Sequence, residues 1–238
     1  MTSILRRALG ADFVRLHPKL RERFSVGLAS GTACLGSGTM SRIWHGNPMI
    51  RPFLHLGASR HILFPEQGTD VPFTIENWPY LDRAGRETVS FTRTFELPAR
   101  RRRFDATMVW DSATDRLIDY LGTHQHVATE LRFAADGAGG VRVRSTTQRF
   151  RMWRLDCPVP AMVTGHARLH EWYDTAEGMF HIDVRVVNRW LGPLFGYRGR
   201  FTVRYVDLHR VPVPASVKPA KEVEPAREVE PAGERVRI

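Results

Sequence analysis

Hydrophobic and polar residues alternate most regularly between Met179 and Tyr205. Two runs in this stretch carry apolar residues at every second position, and a connection with Gly192, Pro193 and Gly196 separates them. Alternate residues of a strand point to the same face, so this pattern is typical of antiparallel strands with one buried and one solvated face. The stretch therefore predicts a pair of strands joined as a hairpin.

A period of two recurs through most of the chain after residue 70. In ETVSFTRTFEL, for example, the apolar residues share one face, and Asp136-Gly137 begins a Gly-rich turn between two later runs. Turns of this kind between alternating segments are typical of antiparallel hairpins. The runs that we predict as further strands are 71–78, 87–97, 104–110, 124–133, 141–153 and 163–173.

The first ~65 residues differ in pattern, and they predict helices. Apolar residues between Ser3 and Arg23 recur at helical spacing, and Asn47-Pro48 matches the N-cap and first residue of another helix. With about eight to ten strands, the pattern predicts an α+β fold. We expect a mainly antiparallel, strongly curved or barrel-like sheet, with one or two N-terminal helices packed against it.

The chain of 238 residues is long enough for one sizeable core, and we predict a single folded domain at residues 1–210. Residues 211–238 contain KEVEPA followed by REVEPA, a repeat without aromatic residues. Such a segment buries too little apolar surface to offset the entropy of ordering, so we predict a disordered tail. No apolar run reaches the ~18 residues of a membrane helix, and the N-terminus has no signal-peptide pattern. We therefore expect a cytoplasmic protein.

The formal net charge of +10 lies in the predicted domain, because the tail is balanced in charge. A basic body attracts anions, but many arginines lie on the solvated faces of predicted strands. This disfavours nucleic acid as a partner and leaves a basic-surface interaction module as an alternative. The chain has no GxGxxG, P-loop or HExxH motif, so we predict no cofactor. Cys34 and Cys157 are expected to be reduced packing residues.

Arg93 is the polar exception on the apolar face of its predicted strand. Burying an unpaired guanidinium is costly, so Arg93 either extends into solvent near a rim or lines a pocket. In a pocket it would meet an acidic ligand or an internal carboxylate. Large antiparallel sheets rich in aromatic residues commonly enclose a cavity, and Gly199 leaves space where we expect one. The predicted ligand-binding residues are Arg93, Trp110, Tyr197, Gly199 and Phe201, and the predicted ligand is a hydrophobic or acidic small molecule.

His124, His126 and Glu130 form an alternative candidate site. On a strand these side chains would share one face, and two imidazoles with a carboxylate suit a first-row transition metal. Their spacing to Gly137 resembles the first metal motif of the cupins, although Ile118 stands where that motif has a glycine. The opposite face is more apolar and is the natural core side, which favours exposed histidines. A metal-dependent or accessory enzyme is thus the alternative function.

Five segments occur in the order found in a known bacterial family. They are ALGADFVRLHPKLRERF, SFTRTFEL, LIDYLG, CPVPAMV and FHIDVRVVNRWLGPLFGYRGRF, within residues 8–205. Together they resemble DUF4166, a domain of unknown function that occurs alone or fused to short-chain or saccharopine-dehydrogenase-like modules. The resemblance implies no catalytic residues, but it implies an accessory role beside an oxidoreductase partner. Our main prediction is a small-molecule or lipid-binding module with a mostly apolar pocket.

Overall fold

A computed structural model of the protein describes residues 2–46, 48–152, 155–159 and 164–223. The predicted helix start at Asn47, the ends of two predicted strands at residues 153 and 163, part of the CPVPAMV segment and the tail beyond residue 223 lie outside these ranges. The described residues form eleven strands. They are β1 (Thr32–His45), β2 (Val71–Leu81), β3 (Glu87–Leu97), β4 (Arg100–Asp111), β5 (Arg116–Leu121), β6 (Val127–Ala135), β7 (Val141–Met152), β8 (Leu155–Pro158), β9 (His166–Asp174), β10 (Met179–Asn188) and β11 (Gly192–Asp207).

Ten of the strands in the described ranges close into an antiparallel barrel. The order is β6-β5-β4-β3-β2-β1-β11-β10-β9-β7, and pairing of β7 with β6 completes the circle. Strand β8 pairs with β7 outside this circle, and β10 and β11 form the predicted hairpin. The antiparallel, barrel-like sheet is therefore confirmed. The α+β class is only loosely supported, because the helices are short and the chain is mostly β.

The N-terminal segment closes one end of the barrel. It contains α1 (Ile4–Leu9), a 3-10 helix (Gly10–Arg15) and α2 (Pro18–Phe24). The Ser3 side chain caps α1 by accepting a hydrogen bond from the Arg6 backbone N–H, and the backbone N–H of His17 donates to Gly139 in the β6–β7 turn. We call residues 3–24 the plug. Seven apolar side chains of the plug are buried in the barrel core: Ile4, Leu5, Leu9, Phe13, Leu16, Leu20 and Phe24.

The connection between β1 and β2 covers part of the opposite end. It contains a 3-10 helix (Pro48–Ile50) and α3 (Arg51–Ala58). The backbone carbonyl of Arg60 accepts a hydrogen bond from Thr123 in the β5–β6 connection, and Glu66 forms a two-pronged ion pair with Arg102 of β4. The barrel is therefore filled at one end by the plug and partly covered at the other end by α3.

Residues 211–223, which the sequence assigns to the tail, pack on the outer surface of the barrel. They include a 3-10 helix (Ala215–Val217) and α4 (Ala220–Val223). Val217 is buried in a small outer cluster with Ala33 and Trp78, and the Ala220 backbone N–H donates to Thr123. The segment thus covers apolar surface that would otherwise be exposed. No helix within the described ranges is long and apolar enough to cross a membrane.

Candidate ligand-binding cavity

The barrel encloses a cavity of about 810 Å³. Inward-facing residues of strands on both sides of the barrel line it, together with Arg23 and Phe24 of the plug and several residues of α3. Most of these residues are aliphatic or aromatic, as strict alternation along the strands requires of inward positions. The interior is therefore hollow above the plug, and it can hold an apolar molecule of substantial size.

Arg93 and Asp119 place two ionisable groups on the apolar cavity wall. Both residues are only 6% exposed. Arg93 comes from β3 and Asp119 from β5, which are separated by β4. Within the described part of the chain, Nε and Nη1 of Arg93 and Oδ1 of Asp119 have no hydrogen-bond partner. Buried polar atoms of native proteins are nearly always paired, so these atoms have capacity left for a bound group.

The electrostatic surroundings of Asp119 favour its neutral form. Burial raises the pKa of Asp119 from 3.8 to about 7, although the positive charge of Arg93 acts in the opposite direction. The Arg93 guanidinium also lies over two aromatic rings, with its carbon 4.9 Å from the ring centre of Phe104 and 5.5 Å from that of Phe91. These rings hold the guanidinium on the wall without using its N–H groups. Burial likewise raises the pKa of Tyr197 against the effect of Arg93.

Arg23 of the plug and Glu171 of β9 form a buried ion pair that is satisfied internally. Arg23 Nε donates to Glu171 Oε1 at 2.6 Å, while its Nη1 lies 2.7 Å from Asn77 Oδ1 and 3.1 Å from Cys34 Sγ. The guanidinium carbon of Arg23 is 5.2 Å from the ring centre of Phe201. This network ties α2 to β1, β2 and β9. We therefore interpret Arg23 and Glu171 as structural, in contrast to Arg93 and Asp119.

Exposed apolar residues surround the place where the cavity meets solvent. Four cavity-lining residues are also strongly or partly exposed: Phe53 (62%) and Leu56 (66%) of α3, and Trp190 (67%) and Leu191 (36%) between β10 and β11. We call these four residues the mouth. His126 lies on the cavity wall near this end. Burial lowers the pKa of His126, and the charges of Arg60 and His124 lower it further by smaller amounts.

The predicted ligand-binding residues fall into two groups. Arg93 and Tyr197 line the cavity, whereas Trp110, Gly199 and Phe201 do not. Trp110 packs towards the plug, where the Arg7 guanidinium carbon lies 4.3 Å from its ring centre. Phe201 is fully buried and stacks on Phe180 at 5.5 Å between ring centres.

The expected cavity above Gly199 is absent. A Cβ atom on Gly199 would lie only 2.2 Å from the carbonyl oxygen of Thr39, because β1 approaches β11 closely here. The register between these strands shifts between Thr39 and Arg42. Gly199 therefore allows the backbones of β1 and β11 to meet at an irregular position of the sheet, and β1 occupies the space that a side chain would fill. The prediction of a cavity at this position is wrong.

The three predicted metal ligands are not brought together. His124 lies in the turn before β6 and His126 lies directly before β6, with Gln125 at a φ of +57° between them. Glu130 lies on β6 and forms ion pairs with Arg116 at 2.6 Å and Arg132 at 3.2 Å. The prediction failed because the alternation was extended through the turn. The histidine rings remain neighbours, with centres 5.7 Å apart, but the carboxylate faces its two arginines.

Among the described residues, one group of three potential ligands does converge. Asp174, Glu177 and His181 lie around the turn between β9 and β10. Asp174 Oδ1 already accepts hydrogen bonds from the backbone N–H groups of Ala176 and Glu177. Its carboxylate is therefore engaged in forming the turn, and we attach no metal function to this group.

Sequence reasoning missed Asp119 and Glu171 as cavity residues. Both show the signal that singled out Arg93, a charged side chain among apolar residues at alternating positions. Asp119 stands between Leu117 and Leu121, and Glu171 stands between Leu169 and Tyr173. Applying the Arg93 criterion to every predicted strand would have found both carboxylates.

Comparisons with known proteins place the chain in one family. Residues 16–201 match the family described as "Domain of unknown function (DUF4166)". The chain is also 34% identical over 205 residues to "Uncharacterized protein YndH" of Bacillus subtilis (strain 168), covering 84% of this chain and 97% of that protein. No solved structure matches the chain significantly. The predicted resemblance is confirmed, and the chain belongs to the DUF4166 family.

Proposed function

We propose that the protein binds an elongated, mostly apolar small molecule with an acidic head group inside the barrel. The observation that carries this proposal is a hollow, largely apolar interior whose wall presents a buried Arg93 with unused N–H groups. Ligand pockets of ~300–1,000 Å³ typically combine such a wall with a few well-placed polar groups. A cavity of about 810 Å³ lies in this range.

The head group lies against Arg93 and Asp119 in this proposal. A carboxylate or phosphate would accept a charge-assisted hydrogen bond from Nε or from Nη1 of Arg93, the two buried donor atoms without a partner among the described residues. Asp119 would be protonated beside such an anion, because burial and a second negative charge both favour its neutral form. Its hydroxyl could then donate to the same head group, while the apolar part of the ligand contacts the aliphatic wall.

Binding can be tested with dodecanoic acid and dodecanol as probes that differ only in the head group. We expect the wild-type protein to bind the acid more tightly, and native mass spectrometry to detect co-purified acidic lipid. Arg93→Met should weaken acid binding at least about tenfold, equivalent to ~1.4 kcal/mol, and leave alcohol binding nearly unchanged. Arg101→Met is the control, since Arg101 is exposed and pairs with Glu96.

A cavity-filling variant tests whether the interior is the site. Ala167 lines the cavity on β9, and Ala167→Phe should reduce the affinity for both probes by placing a ring in the available space. Absence of co-purified ligand and of probe binding in the wild-type protein would refute the proposal. Unchanged binding in a folded Ala167→Phe variant would refute it as well. Delivery of the ligand to an oxidoreductase, and a cytoplasmic location, remain predictions from the sequence.

A further inference from the structure

The short helix α3 is apolar on two faces. Leu54 and Ala58 are buried, and Ile50, one turn before Leu54, is buried with them. Phe53 and Leu56 lie on the other side of the helix and are exposed. A helix that packs on a barrel needs only one apolar face, and the second is usually polar. The exposed face of α3 is therefore not explained by the fold.

The turn between β10 and β11 extends this apolar surface. Trp190 and Leu191 join Phe53 and Leu56 around the cavity entrance, and Met49, immediately before α3, is also exposed. Large apolar residues are exposed elsewhere in the described ranges, but Val14 lies on the plug and Leu81 ends β2. Isolated exposed apolar residues are ordinary, whereas a group around one opening marks an interaction surface.

Positive charge accompanies the mouth. Arg51 begins α3, Arg60 follows it, and Arg189 precedes Trp190 with its guanidinium carbon 5.6 Å from the indole ring centre. Within the described part of the chain, none of these three arginines forms an ion pair. Other arginines are neutralised, including Arg102 by Glu66 and Arg149 by Asp156. Arginines without an ion pair also occur elsewhere in the described ranges, for example Arg142 beside the β6–β7 turn, so the distinctive feature of the mouth is the combination of such arginines with exposed apolar residues. The unneutralised arginines at the mouth thus favour an anionic partner.

We propose that the mouth docks on the surface of an anionic lipid bilayer. Phe53, Leu56, Trp190 and Leu191 would enter the interfacial region, where Trp is favoured, and the neighbouring arginines would contact anionic head groups. Each basic residue near such a surface adds to the attraction. A second copy of this chain would bring the same arginines face to face, which charge repulsion disfavours.

Docking in this orientation would place the cavity entrance against the bilayer. The apolar mouth is continuous with the apolar cavity wall, so a lipid-like molecule could pass between bilayer and barrel without crossing water. This consequence rests on the proposed function. Docking itself is independent of the proposed function, because it requires only the mouth and the neighbouring arginines.

Vesicle co-sedimentation tests the inference with the full chain. We expect binding to vesicles of phosphatidylcholine with phosphatidylglycerol, and much weaker binding to phosphatidylcholine alone. Phe53→Ser combined with Trp190→Ser should reduce vesicle affinity at least about tenfold. The matched control is Val14→Ser combined with Leu81→Ser, which removes two similarly exposed apolar residues away from the mouth.

Two further measurements separate the possible outcomes. Ala167→Phe should still bind vesicles, so a failure of ligand binding and a failure of docking can be told apart. Light scattering should show the same molar mass for the wild-type protein and the mouth variant. Absent vesicle binding, equal loss in the control, or a dimer that the mouth substitutions dissociate would each overturn the proposal.

Discussion

Replacing Asp119 by Asn should stabilise the protein at alkaline pH. In the unfolded chain an Asp carboxyl has a pKa of ~3.9, whereas burial raises the pKa of Asp119 in the folded protein to about 7. The folded state therefore binds the proton more tightly. As pH rises from ~4 to 7, the free energy of unfolding therefore falls, because the Asp119 carboxyl ionises at a lower pH in the unfolded chain than in the folded protein.

The magnitude follows from the two pKa values. Each tenfold difference in proton affinity corresponds to ~1.4 kcal/mol, so the carboxyl reduces the free energy of unfolding by up to about 4 kcal/mol above pH 7. An Asn side chain resembles the protonated carboxyl in shape and carries no charge at any pH. Relative to the wild-type protein, Asp119→Asn should gain ~1.4 kcal/mol per pH unit between pH 5 and 7, and the gain should level off above pH 7.

Urea unfolding at pH 5, 6, 7 and 8 measures this difference directly. Comparing variant with wild type at each pH removes the contributions of other titrating groups, provided that the slope with urea stays constant. Asp115→Asn is the control, because it removes an exposed carboxylate from the turn before β5. A stability difference for Asp119→Asn that is the same at all four pH values would refute the reasoning.

Three other substitutions or truncations test separate parts of the fold. Gly199→Ala should cost at least ~2 kcal/mol in urea unfolding, because its Cβ would lie 2.2 Å from a carbonyl oxygen of β1. Arg23→Met should cost ~3–5 kcal/mol by leaving Glu171 charged and unpaired, and adding Glu171→Leu should restore part of that loss. Deleting residues 211–238 should lower stability by ~1–3 kcal/mol by exposing the outer apolar cluster, whereas deleting 224–238 should have little effect on urea unfolding.

Each of these predictions has a contrary result. Gly137→Ala is the matched control for the first, since a Cβ there meets nothing within 4 Å, and equal costs at the two glycines would contradict the close-approach argument. Additive losses in the Arg23 and Glu171 double variant would show that the pair is not coupled. A chain lacking 211–238 that is as stable as the wild type would place the domain boundary at residue 210, as the sequence predicts.

The sequence predicts the strands well because alternation is a local property. It also identifies Arg93, since a charged residue on an apolar face is visible without knowing its neighbours. Closure of the barrel depends on pairing between β1 and β11 and between β7 and β9, and no local pattern specifies these partners. Whether the closed interior is hollow depends on the summed volumes of side chains from all strands, which alternation does not report.

Local backbone conformation explains the failures at individual residues. Positive φ at Gly122 (+73°) and at Gln125 (+57°) interrupts the alternation before His126 and the strand that carries Glu130. A period-two pattern cannot show where such a turn interrupts it. At Gly199 the missing side chain makes room for the neighbouring backbone, and sequence alone does not distinguish that use from space for a ligand.

The pairing of β1 with β11 has a consequence for biosynthesis. Thr32 pairs with Asp207, so the first strand leaves the ribosome long before its partner exists. At ~5–20 residues per second, this delay is on the order of ten seconds or more. During that time the apolar residues of the plug have no barrel to fill, and one edge of β1 is unpaired. A nascent chain of this protein should therefore be a good substrate for ribosome-associated chaperones, and moving the plug and β1 behind β11 by circular permutation should shorten that exposure.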